Sequence, residues 1–253
     1  MSDTQQLHPS KNDLAGYYIA RERAALIKGG IEDGTAPFLP KDGAVAPTAI
    51  YNAGTGLLLG AKELVPAAIV KARNGYESNM VGSYYTSQKA GTQIKKDEKG
   101  IGCLFKGKDG QFHHSNLYFA KQMEQPERLQ AFGEKNLKWK ERLVGEKIAV
   151  ISPEPVEYLA AYVAACKSGA TLEVTPKAEE LFKANMTDIC ENELKRGFEK
   201  NPAMPKLADV LFAAETKSTE IIKAREKELG IAQKPQEQKK NERRIDRSMA
   251  MSF

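Results

Sequence analysis

The sequence predicts an α+β fold, with a small antiparallel sheet and helices in the first half and a mainly helical second half. Two patterns lead there. Long stretches after residue 125 repeat their apolar residues at helical spacing, and short alternating runs between glycine-rich turns fill the region from about 92 to 120. A third observation sets the scale. A chain of 253 residues with 41% hydrophobic and 28% charged side chains has the composition of an ordinary folded protein with one large core or two modest ones.

In chain order, residues 1–13 are polar and read as a disordered lead. "AGYYIARERAALIKGGIEDGTAP" reads as a helix, with Tyr18, Ala25, Leu26 and Ile27 as apolar positions and Gly29-Gly30 weakening its end. Pro37, Pro40, Pro47 and several glycines make the next stretch a loop. "LLLGAKELVPAAIVKARNGY" predicts a helix kinked or restarted at Pro66 and stopped by Asn74-Gly75. "SYYTSQKAG" fits a short helix or an extended turn. "TQIKKDEKGIGCLFKG" predicts two strands with "KKDEKG" as the turn, and "QFHHSNLYFA" a further strand. "PERLQAFGEKNLKWKERL" reads as a polar helix. "EKIAVIS" and "ATLEVT" read as strands flanking a helix in "PEPVEYLAAYVAACKSG". Two amphipathic stretches follow. One carries Leu181, Phe182, Met186, Ile189, Cys190, Leu194 and Phe198, the other Leu207, Val210, Leu211, Ala214, Ile221 and Ile222, and they predict a helical hairpin. Residues 233–253 read as a basic disordered tail. There is no internal repeat.

The net charge of +5 is a mild bias toward acidic partners. Cys103, Cys166 and Cys190 lie far apart without a C-x-x-C pair, which argues against a disulfide framework and suits a reducing compartment. The polar start predicts no signal peptide, and no apolar run approaches the about 18 residues of a membrane span. A cytoplasmic protein without membrane attachment is expected.

Few residues suggest catalysis. Neighbours on a strand point to opposite faces, so His113 and His114 are poorly placed to hold one metal ion, and there is no H-E-x-x-H. "NAGTG" from Asn52 lacks the G-K-[ST] of a P-loop. No cofactor, no metal and no enzyme activity are expected. The strongest local feature runs from Gly82 to Gly110 and gathers Tyr84, Tyr85, Lys89, Lys95, Lys96, Lys99, Phe105 and Lys106, with Arg73 as a rim candidate. Lysines suit a phosphate backbone and aromatic faces suit unpaired bases, so the pattern fits single-stranded nucleic acid. The competing account packs Tyr84, Tyr85, Phe105 and Phe112 inward and leaves the lysines to solvate a turn. "KWKERL" from Lys138 is a weaker basic-aromatic patch, better read as a solvated helix with Trp139 turned inward.

The region from about Ala15 to Ala120 resembles the N-terminal domain of ArdC-type anti-restriction proteins of plasmids and phages. "IEDGTAPF" resembles G-T-x-P-W with Phe38 for tryptophan. "YNAGTGLLLGAKELV" resembles N-A-x-T-G-x-x-Y-x-G-x-N-x-L, agreeing at Asn52, Ala53, Thr55, Gly56, Gly60 and Leu64. "YYTSQKAGTQIKKDEKG" resembles W-x-T-F-x-Q-A followed by G-x-x-V-x-K-G-E-K-G, agreeing at Thr86, Ala90, Lys96, Glu98, Lys99 and Gly100. Leu58, Lys62 and Asp97 stand where the pattern has tyrosine, asparagine and glycine. The resemblance implies a single-stranded-DNA-binding domain at 14–124, with RNA as a competitor to test. It also implies Lys95, Lys96, Lys99 and Lys106 on phosphates, Tyr84 and Tyr85 as stacking platforms, and Glu98 fixing the turn by pairing with a lysine. The family's protease domain carries H-E-x-x-H, which this sequence lacks, and residues 125–232 read as a helical domain of unknown role. The alternative is a protein-interaction or assembly protein that has lost DNA binding and docks a partner, or a second copy, through its second half.

Overall fold

Pro155–Ser168, "PVEYLAAYVAACKS", is apolar nearly all round, as a helix surrounded by protein must be. It forms α5, whose Tyr158, Leu159, Tyr162 and Val163 are fully buried. The helix begins with a proline at its first position and ends at Gly169, with φ of 80°. The computed structural model describes residues 11–40, 44–45, 47–106, 112–138, 142–196 and 206–231. Of the expected lead over 1–13, residues 1–10 lie outside them while 11–13 are helical, the start of the first helix. The expected tail over 233–253 lies outside them, as do Trp139 and residues 107–111.

The helices are α1 (Lys11–Glu32), α2 (Ala61–Asn74), α3 (Tyr84–Lys89), α4 (Pro126–Asn136), α5, α6 (Pro176–Lys195) and α7 (Lys206–Glu228). The strands are β1 (Ala44–Val45), β2 (Tyr51–Asn52), β3 (Leu57–Leu58), β4 (Met80–Gly82), β5 (Ile101–Lys106), β6 (Phe112–Phe119), β7 (Lys147–Val150) and β8 (Thr171–Val174). A five-stranded sheet runs β3-β2-β4-β6-β5, and a three-stranded sheet runs β1-β8-β7. The fold is α+β. The larger sheet is mixed rather than antiparallel, because β2 and β4 run parallel, with α2 in the chain between them. Likewise α5 connects the parallel pair β7 and β8.

Alternation along β6 gives the larger sheet two covered sides. Leu117 and Phe119 enter the main core with Val81 and Ile101. Tyr118 packs instead against a small separate cluster of Ala53, Ala120, Met123 and Leu129.

The expected division between 14–124 and 125–232 does not coincide with a break in packing. One core contains Ala24, Phe38 and Leu64 together with Tyr158, Phe182 and Leu211. Phe38 meets Tyr162 and Phe182 edge-on, each at 5.8 Å, and Tyr158 Oη donates to the Phe38 carbonyl at 3.0 Å. Glu215 of α7 accepts from the first amide of α2, Ala61 N, at 2.7 Å. Strand β1 pairs with β8, more than a hundred residues away. Burying an aromatic cluster outweighs the shift in sequence character near Gln125.

Three local expectations also change. Leu57 and Leu58 form a strand, not the start of α2. The helices α6 and α7 touch, yet α6 lies mainly along α1 and α7 mainly along α5, so they are not primarily a hairpin. The antiparallel pair in this region is β5–β6, and "KKDEKG" precedes it as a loop, with the isolated bridge Ile94–Met123 in place of the expected strand.

Candidate nucleic-acid interface

Short as it is, α3 has a defined start. Ser83 is extended at φ −75° and ψ 169°, and its Oγ accepts from Thr86 N at 3.2 Å, which caps one free amide. Ser87 Oγ donates to the Tyr84 carbonyl at 2.7 Å. Thr86 and Ser87 are buried, so the helical turn directs Tyr84, Tyr85, Gln88 and Lys89 outward. Tyr84 is 62% exposed and Tyr85 50%. Gln88 Nε2 donates to Tyr84 Oη at 2.8 Å, and Lys89 Nζ sits 4.5 Å from the Tyr85 ring centre. The account that packs both tyrosines into the core therefore does not describe them.

After Gly91, at φ 72°, the chain runs beside residues 121–124. Glu124 N donates to the Gln93 carbonyl and Lys95 N to the Gln122 carbonyl, both at 2.9 Å. A tight turn follows, closed by Glu98 N donating to the Lys95 carbonyl at 3.4 Å. Asp97 occupies its third position with φ 64°, the one positive φ among the described non-glycine residues. Glycine is favoured at such a position, and aspartate is among the few substitutes that enter the left-handed region readily. That explains why this chain tolerates Asp97 where the resembling pattern has glycine.

Lys95, Lys96 and Lys99 are all exposed on this loop. Lys95 Nζ donates to the Lys121 carbonyl at 2.9 Å, so part of its donor capacity is used. Among the described residues, Glu98 pairs with an amide rather than with the expected lysine. Its Oε2 accepts from Gln122 Nε2 at 2.9 Å. Burial, and after it the Glu98 charge, pushes the Tyr76 phenol up, consistent with Glu98 facing inward.

The structure thus leaves Tyr84, Tyr85, Lys89, Lys95, Lys96 and Lys99 exposed along residues 84–99. It sets two others apart. Phe105 is 49% exposed and nearly parallel to the His113 ring at 5.6 Å, but it lies four residues along β5, about 14 Å from the strand's start. The Lys106 side chain lies outside the described residues. Arg73 is engaged elsewhere. Its Nη2 and Nε meet Asp33 Oδ2 at 2.7 and 3.1 Å, and Nε donates to Thr35 Oγ1 at 3.1 Å, tying the end of α2 to the loop after α1.

The "NAGTG" loop is a brace rather than a phosphate cradle. Asn52 Oδ1 accepts from Gly54 N at 2.9 Å and Thr55 N at 3.3 Å, and the Asn52 carbonyl accepts from Gly56 N at 2.8 Å, so these amides already have partners. Gly56 has φ 68°, and a Cβ there would overlap the Asn136 carbonyl oxygen. Asn136 Nδ2 donates to the Ala53 carbonyl at 3.0 Å. The loop is thereby fastened to the end of α4. Nothing in the sequence marks Asn136 or Gln122, because a lone amide side chain carries no spacing signal.

No family model and no curated protein matches the chain. Among solved structures, it is similar to the crystal structure of the metal-free antirestriction ArdC protein from the R388 plasmid. The identity is 13%, the match covers 78% of this chain and 97% of that one, and the TM-score is 0.43. A likeness of this size assigns no role to any residue here. No helix among the described residues is long and apolar enough to cross a membrane.

Proposed function

We propose that this protein binds single-stranded nucleic acid, DNA foremost, with little sequence preference, and that it is a binder rather than an enzyme. The observation that carries the reading is the pair of outward tyrosines on α3, followed directly by a loop that exposes three lysines. Unpaired bases stack on Tyr84 and Tyr85, while Lys89, Lys96 and Lys99, with Lys95 in part, neutralise phosphates as mobile point charges. In a duplex the base faces are already stacked, so the tyrosines add nothing there. The finer reading, supported by the resemblance at "YNAGTG" and "KKDEKG", is that the strand belongs to a mobile element and is shielded from host defences.

The test is a gel-shift panel of unstructured single-stranded DNA, the matching duplex and RNA, each titrated with salt. Preferential binding of the single strand that weakens with salt supports the reading. Equal binding of duplex and single strand refutes the stacking role, and no binding at low salt refutes the function.

A further inference from the structure

Among the buried polar side chains, Gln122 has an unusual reach. It is 3% exposed and sits at the end of the 3-10 turn Ala120–Gln122, directly beneath the lysine loop. Its Oε1 accepts from Phe119 N at 2.9 Å. Its Nε2 spends one hydrogen on Glu98 Oε2 and the other on the Lys99 carbonyl, both at 2.9 Å. Its own carbonyl accepts from Lys95 N at 2.9 Å. One residue therefore grips both ends of the turn that displays Lys95, Lys96 and Lys99, and anchors it to Phe119, which is fully buried in the main core.

We infer that Gln122 is the positioning residue of the lysine loop, setting the spacing at which its ammonium groups meet successive phosphates. This rests on the proposed binding of single strands. The chemistry favours an amide here over any charged group. The site needs one acceptor, for Phe119 N, and two donors, for Glu98 and the Lys99 carbonyl, and a glutamine side chain supplies that set. A carboxylate at 122 would face the Glu98 carboxylate and the Lys99 carbonyl with no proton to offer. The loop would be pushed off its seat while the main core is left as it is.

Three variants test this: Gln122→Glu, the double change Gln122→Glu with Glu98→Gln, and the triple change of Lys95, Lys96 and Lys99 to Gln. Amide hydrogen exchange over residues 93–100 reads the loop without any ligand. Salt-titrated binding of an unstructured DNA oligonucleotide reads the interface. Gln122→Glu is expected to speed exchange at Lys95 and Glu98, and to weaken DNA binding by about tenfold, the scale of one unmatched buried polar group. The double change restores a donor–acceptor pair between 98 and 122 and is expected to recover a good part of both. An unchanged exchange pattern in Gln122→Glu overturns the inference, because the loop is then held by other bonds. Faster exchange with unchanged DNA binding also overturns it, provided the triple lysine variant binds weakly, since the lysines then work without being positioned. If the triple variant also binds like the parent, the proposed interface itself has failed, and the inference falls with it.

Discussion

The tyrosines and the lysines of the proposed interface should fail in different ways, and the structure sets the size of each failure. Consider Tyr85→Ala, Tyr84→Ala and the triple lysine-to-glutamine variant. A fully buried aromatic changed to alanine costs about 3–5 kcal/mol of stability. Tyr85 is 50% exposed and Tyr84 62%, so each should cost about half of that or less, roughly 1–2 kcal/mol. In a chain of this size that is a fall in melting temperature of about 2–8 °C. Loss of stacking is worth about 1–3 kcal/mol per base, or roughly 5- to 150-fold in affinity. It should be the same at every salt concentration, because stacking releases no counterions. The lysines should do the reverse. Each phosphate of a single strand that is no longer neutralised flattens the plot of log affinity against log salt by about 0.7. Lys95 already donates to the Lys121 carbonyl, so the three together should remove between about 1.4 and about 2.1. The assay is a fluorescence-anisotropy titration with an unstructured oligonucleotide at four salt concentrations, with thermal melts alongside. A lysine variant with an unchanged slope refutes phosphate binding by these side chains. Tyrosine variants that bind normally, well below their melting temperatures, refute stacking.

Other outcomes follow from the same geometry. Arg73→Ala should leave the salt slope unchanged and lower the melting temperature slightly, since the guanidinium serves Asp33 and Thr35; a flatter slope would return Arg73 to the interface. Thr35 first, and Arg73 after it, hold the Asp33 carboxyl below its ordinary value of 3.8, so this pairing contributes at neutral pH and disappears only as pH falls through that lowered value. In a pH series of melts, the Arg73→Ala deficit should therefore persist at neutral pH and shrink in strong acid. The cysteines should be inert. Burial pushes the Cys103 thiol up to about 11, with the Glu63 charge adding to it, and burial pushes Cys166 and Cys190 up to about 12. At pH 8 about one Cys103 in a thousand is then thiolate, so rapid stoichiometric labelling of native protein would contradict the burial. A fragment of residues 14–124 should lack a cooperative melt, because Phe38 and Leu64 are deprived of Tyr158, Phe182 and Leu211; a sharp transition in that fragment would restore the two-domain division.

What is legible in the sequence follows periodicity. The runs that become α1, α2, α5, α6 and α7 announce themselves by apolar spacing, and β7 and β8 by short alternating stretches with buried Ile148, Val150, Leu172 and Val174. The tyrosines and lysines of α3 and its loop are legible as chemistry, since exposed aromatics among cations stand out in composition. Partners are not legible. Nothing in "VAPTA" states that β1 will pair with β8, and nothing in Phe38 states that it will sit against Tyr162. The lysine turn reads as a hairpin tip because "KKDEKG" has turn chemistry, and turn chemistry alone does not say whether strands flank it. Arg73 looks available by charge, while its carboxylate partner sits forty positions earlier.

The two clusters give the proposed binding and the folding of this chain separate foundations. The main core reaches from α1 to α7 and fixes the global stability. The proposed interface rests on the other side of the larger sheet, over a cluster of Ala53, Ala120, Met123 and Leu129 that Ala90, Ile94, Tyr118 and Phe132 border. Ala90 and Ile94 belong to the segment that joins α3 to the lysine turn, so this small cluster is the floor of the proposed site. Its limited apolar area gives it limited stability of its own. The loop therefore needs directional bonds to hold its shape. Gln122 supplies them from inside, Asn52 braces the neighbouring turn, and Ser83 caps the helix that carries the tyrosines. Successive phosphates of a strand recur at a regular spacing, and a loop held by packing alone would blur the placement of the lysines proposed to meet them.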